Sequence, residues 1–147
     1  TKKEVLGQVV EQLRLPDEVE RSFLLKFLLA RETLESTGIG DGIAIPHVRN
    51  PIVLHVTRPA ITLAFLEQSI DFGSLDGKPV SILFTMISPT IRAHLHLLSR
   101  LAFVLRDASC RRVLEKRGTR EEILSAFERV EGTFKFPIAP RARRPRR

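Results

Sequence analysis

Val80-Ser81-Ile82-Leu83-Phe84-Thr85-Met86-Ile87 runs directly into Ser88-Pro89-Thr90 and then Ile91-Arg92-Ala93-His94-Leu95-His96-Leu97-Leu98. The first run is short and mostly apolar, which predicts a strand covered on both faces. Ser-Pro-Thr is a helix-start signal. Apolar positions then recur through Leu97, Leu98, Leu101 and Leu105, predicting a long helix over about residues 91–106.

Upstream, residues 59–67 alternate as a strand does, 70–75 form a short extended piece, and Asp76-Gly77 is a hairpin-type turn. Downstream, a shorter helix is expected over 109–116, stopping at Gly118. Thr119 and Glu122 have capping-box spacing and open a last helix to about Val130. Thr1 and Glu4 repeat that spacing ahead of a helix to about Arg14. Pro16-Asp17 reads as the start of a second helix, with Val19, Phe23 and Phe27 recurring every four residues beside Leu24 and Leu28. Helices around a central group of strands make the class α/β: a three-layer sandwich with a mixed central sheet flanked by helices.

Between the second helix and the first clear strand lies Ser36-Thr37-Gly38-Ile39-Gly40-Asp41-Gly42-Ile43-Ala44-Ile45-Pro46-His47. Glycines this dense do not hold a helix. Residues 43–45 read as a short strand that Pro46 ends. Asn50-Pro51 is a further break, and 52–56 read as another short strand.

The 147 residues suit one domain with a real core, and 43% of them are hydrophobic. Cys110 stands alone, so no intrachain disulfide forms, which fits a reducing cytoplasm; it reads as a small buried or half-buried side chain. No apolar run is long enough to span a bilayer. The net charge is +7, yet Lys135, Arg141, Arg143, Arg144, Arg146 and Arg147 supply nearly all of it. Residues 1–131 are therefore expected to form one domain that is not a basic nucleic-acid surface, and 132–147 a Pro/Arg-rich, weakly structured tail.

The chemistry rests on four histidines: His47, His55, His94 and His96. None has zinc-site spacing. His94 and His96 would lie about 200° apart around a helix. No serine elbow, P-loop or dinucleotide fingerprint is present. His47 follows a rigid proline after a glycine-rich turn. Glycines let backbone N–H groups approach an anion closely, so Gly40, Gly42 and Thr37 are candidate phosphate-binding positions. A neutral imidazole is a nucleophile near neutral pH. Locally, the same residue also fits an ordinary surface-loop histidine. His94 falls at the edge of the core near a helix N-terminus, whereas His96 shares a polar face and reads as solvent-facing or structural. Arg31, at the end of the second helix, could offset a phosphoryl group's charge or be a plain surface arginine.

Leu29-Ala30-Arg31-Glu32 together with Ser36 to His47 closely resembles the active-site signature of the fructose/mannitol-type enzyme IIA family of the phosphotransferase system. His94-Leu95-His96-Leu97-Leu98-Ser99-Arg100-Leu101-Ala102 is a second match, and Ile70-Asp71-Phe72 with Asp76-Gly77-Lys78-Pro79-Val80 a third. The likeness covers about residues 1–130. It implies a mixed-sheet α/β sandwich. It also implies that His47 accepts a phosphoryl group from HPr or its nitrogen-branch relative, that His94 supports the phosphorylated ring, and that Arg31 is the active-site arginine. No cofactor or metal is implied. His94-Leu95-His96 and Asp107 to Arg112 look more like the nitrogen-regulatory branch, whose members act by phosphorylation-dependent protein contact. A sugar-specific enzyme IIA passing phosphate to a IIB cysteine is the alternative, and nucleic-acid binding through the tail is another. The family pattern carries a strand ahead of the first helix, so the sequence is open to being a fragment that lacks an edge strand or another upstream domain; the Arg-rich tail has no counterpart in that pattern.

Overall fold

Most helices in the computed structural model, which describes residues 1–133, begin where a side chain can satisfy their free N–H groups. Thr1 accepts from the Glu4 N–H, and Glu4 returns to the Thr1 backbone nitrogen, opening α1 (Lys2–Gln12). The second helix begins later than expected. Pro16-Asp17 forms a turn, with the Val19 N–H donating to the Pro16 carbonyl at 3.0 Å, and α2 spans Arg21–Leu34.

β1 (Gly38–Gly40) and β2 (Ile43–Ala44) follow. The strand expected over 52–56 is instead a single 3-10 turn, Pro51–Leu54. Asn50 caps it by accepting from the Ile52 N–H at 3.3 Å, and Pro51 supplies a preset φ. β3 (Ala60–Ile70) and β4 (Val80–Ile87) pair antiparallel, joined by residues 71–79. Within that connection the Gly77 N–H closes a turn on the Ser74 carbonyl. The sheet order is β1-β2-β4-β3, and β2 runs parallel to β4 with Ile43 opposite Ile82 and Ala44 opposite Leu83. The sheet is therefore mixed, and β4, an inner strand, is the apolar one, as its sequence demands. α3 (Ile91–Leu105), α4 (Ala108–Glu115) and α5 (Arg120–Glu131) complete the described chain. The class is the expected α/β.

The described residues form two compact units, Thr1–Leu98 and residues 99–133. In the first, Leu6, Val10, Leu24 and Leu28 of the helices join Ala44, Val48, Phe72, Val80 and Leu83 in one buried cluster. Each of these Leu, Val and Phe side chains contributes roughly 1.5–3 kcal/mol. In the second, Val104, Cys110 and Ala126 form a smaller core. Cys110 is fully buried, and burial raises its thiol pKa. The tail residues 134–147 lie outside the described residues. Among the described residues no helix is long and apolar enough to cross a membrane.

Candidate functional site

His47 owes its place to the strand before it. The Met86 N–H donates to the Pro46 carbonyl at 2.9 Å, which carries the β2–β4 pairing on past Ala44. Pro46 has no N–H to continue the ladder, so the chain leaves the sheet at His47. This is the carboxyl end of two parallel strands, where α/β folds place their sites. Three residues after β4, α3 begins at the same end of the sheet. Thr90 caps it, accepting from the Ala93 N–H at 3.1 Å, and His94 is the fourth helical residue.

The two rings meet. Their centroids are 4.8 Å apart and their planes tilt by 46°. His47 is half-buried, and His94 is 8% exposed. His47 Nδ1 lies 2.6 Å from the Ile45 carbonyl oxygen. A carbonyl only accepts, so Nδ1 carries the proton and Nε2 keeps its lone pair. Burial pushes the His47 pKa below the ordinary 6.5, and Arg31 adds to this, while the Ile45 carbonyl and the Glu32 carboxylate pull the other way. His94 is lowered to about 4, by burial first and then by His47 and Arg31. Both imidazoles are thus neutral at pH 7.

Arg31, in the last turn of α2, donates through Nη1 to the Glu35 carbonyl at 2.7 Å. That bond caps the helix and anchors the guanidinium, whose charge reaches both imidazoles. The structure therefore brings His47, His94 and Arg31 into one electrostatic cluster. His55, exposed at the end of the 3-10 turn, and His96, half-buried on α3, are not among the groups that shift those two rings.

The expected phosphate cradle needs correction. Gly40 (φ 99°), Asp41 (φ 55°) and Gly42 (φ 80°) form the tight turn between β1 and β2. The Gly42 carbonyl accepts from Ser81 and Ile82, at the start of β4. Five residues of extended chain, about 16 Å, then lead to His47. The glycines stand at the opposite end of β2, beside the carboxylates of Asp41 and Asp76. Thr37 is buried and its hydroxyl donates to Glu32, so it too points away from an anion role.

Glu32 is the residue the sequence reading passed over. It is 8% exposed and accepts from Lys2 Nζ at 3.0 Å, from the Thr37 N–H at 3.2 Å and from the Thr37 hydroxyl. The signal was its spacing. Glu32 continues the four-residue row of Leu24 and Leu28, the inward face of α2. Among the described residues no group of three or more His, Cys, Asp or Glu is arranged to hold a metal ion.

The geometry defines a histidine-centred α/β domain: an imidazole with one nitrogen fixed and the other available, in a cationic field. Comparison narrows this to a family. The model described as "Phosphoenolpyruvate-dependent sugar phosphotransferase system, EIIA 2" matches residues 1–130, and the chain belongs to that family. The nitrogen regulatory protein of Pseudomonas aeruginosa is 37% identical over 127 residues, covering 84% of this chain and 80% of that protein. The fructose-specific EIIABC component of Bacillus subtilis is 35% identical over 84% of this chain but only 19% of its own length. Among solved structures, the nitrogen regulatory protein IIA-Ntr from Neisseria meningitidis superposes with a TM-score of 0.75 at 29% identity, covering 86% of both chains. The mannitol IIA of Escherichia coli shares the fold, with a TM-score of 0.69 at 22% identity over 86% of this chain and 89% of that one.

Proposed function

We propose that this chain is a phosphohistidine carrier that accepts a phosphoryl group on His47 Nε2 from an HPr-type protein and acts in the cytoplasm as a nitrogen-branch regulator. The observation that carries this is the His47 Nδ1 bond to Ile45, which leaves a lone pair on Nε2 of a ring whose centre lies 4.8 Å from that of His94. In the transfer, the Nε2 lone pair attacks phosphorus in line and the donor's P–N bond breaks, its electron pair staying on the donor nitrogen. Nε2 has no proton to lose. Arg31 and the amino end of α3 stabilise the spread negative charge, and His94 donates a hydrogen bond to a phosphoryl oxygen. The family match over residues 1–130 takes in both compact units, which favours reading them as parts of one carrier.

The regulatory branch is favoured by the nitrogen regulatory relatives that cover most of this chain. A sugar-specific IIA serving a IIB cysteine is the second reading, favoured by the fructose-specific relative. The test is incubation with phosphoenolpyruvate, enzyme I and an HPr-type donor, followed by intact mass and site mapping. One added phosphoryl group on His47, lost in His47→Ala, is the expected result. Labelling elsewhere, or none, overturns the assignment. Onward transfer to a IIB protein would select the second reading.

A further inference from the structure

Among the described residues Glu32 is the only carboxylate that is buried, and the proposed transfer gives it no task. We propose that Glu32 is a positioning residue for His47: it grips Thr37, whose carbonyl pins Ile45, whose carbonyl in turn fixes the His47 ring. This deepens the phosphohistidine reading and rests on it.

Burying a carboxylate is costly, and a well-packed hydrocarbon holds a fold together at least as well. Glu32 lies on the row of Leu24 and Leu28, so the fold alone would accept an apolar residue there. The carboxylate instead takes both donors of one residue, the Thr37 N–H and hydroxyl. Lys2 closes the other side, its ammonium 3.0 Å from Glu32 Oε2 and 4.5 Å from the centre of the Phe72 ring. Thr37 is therefore held where α2 hands over to β1.

From Thr37 the connection runs through backbone alone. Its carbonyl accepts from the Ile45 N–H at 3.0 Å, and the Ile45 carbonyl accepts from His47 Nδ1 at 2.6 Å. The orientation of that second carbonyl decides the tautomer. When it faces the ring, the proton stays on Nδ1 and Nε2 is the nucleophile. When it turns away, the Nε2–H tautomer competes, and that nitrogen then has no lone pair to offer. Glu32 thus acts on the site at one remove, by setting an acceptor rather than by touching phosphate. Its charge also partly offsets the effect of Arg31 on the His47 ring.

The test uses Glu32→Gln, Thr37→Val and Thr37→Ser in the whole chain. Long-range proton–nitrogen NMR reads the His47 tautomer in the unphosphorylated protein, and transfer from the HPr-type donor is timed separately. Glu32→Gln and Thr37→Val should lower the Nδ1–H population and slow transfer by about tenfold to a hundredfold. Thr37→Ser, which keeps the hydroxyl, should restore both. A wild-type tautomer in Glu32→Gln overturns the positioning role. So does a loss in Thr37→Val that merely follows its melting temperature and is not rescued by serine. If the wild type takes no label at all, the phosphohistidine reading fails, while the NMR still decides the Glu32 connection.

Discussion

His47 and His94 face each other at 4.8 Å between ring centres, a separation two imidazoles tolerate only while at most one is charged. Burial and the charge of Arg31 hold both pKa values down, so both rings are neutral at pH 7, the state the proposed transfer requires of them. In the proposed transfer, the negative charge arriving on His47 favours protonation of His94, which makes it the stronger donor.

Removal of His94 should therefore harm transfer more than donor binding. A hydrogen bond to a charged oxygen is worth about 1.5–3 kcal/mol, or about tenfold to a hundredfold in rate. In His94→Ala the single-turnover labelling rate should fall by that factor with the donor affinity unchanged. An unchanged rate would remove His94 from the chemistry.

The lowered value of His94 also makes stability depend on pH. In the folded chain it titrates at about 4, against an ordinary 6.5. Between those values the unfolded chain binds more protons, so stability is full above 6.5 and is lost as pH falls toward 4. Urea titrations across this window should show the decline, and His94→Gln should reduce it to the part that His47, whose pKa is also lowered, contributes. An equal decline in that variant would place the titrating group elsewhere.

Arg31 combines a charge with a fork, and two substitutions separate them. Arg31→Lys keeps the positive charge, so the His94 titration by NMR should stay low; Arg31→Ala should let it rise. Transfer should fall in both, by about a hundredfold in Arg31→Ala and less in Arg31→Lys. Equal losses would show that planar recognition of the phosphoryl oxygens plays no part.

How much of this was legible in the sequence depended on how local the signal was. β4 spans Val80–Ile87 as its apolar run demands, and α3 ends one residue short of the expected 106, because burial pattern and cap chemistry are written in adjacent residues. Residues 52–56 misled because Ile and Val favour strands, while the Asn50 cap and Pro51 favour a tight turn. His47 and His94 stand out in the sequence as separate candidates, but their meeting depends on the parallel pairing of β2 with β4, a contact between distant segments. Glu32 was hidden because a charged residue on an apolar row reads as surface until its partners Lys2 and Thr37 are seen.

The glycine turn supplies the last test, because it separates backbone conformation from phosphate binding. Gly42 has φ 80°, which an L side chain adopts only at a cost of about 1–2 kcal/mol, though a Cβ there would meet nothing closer than the Pro79 carbonyl at 3.6 Å. Gly42→Ala should therefore lower stability by about that amount and leave labelling of His47 within twofold of wild type, measured well below the melting temperature. A cradle of N–H groups around the phosphoryl group would respond differently: transfer would collapse while the melting temperature barely moved. That pattern would return the glycines to the candidate site and require the chain to bring residues 40–42 and His47 together around the ligand.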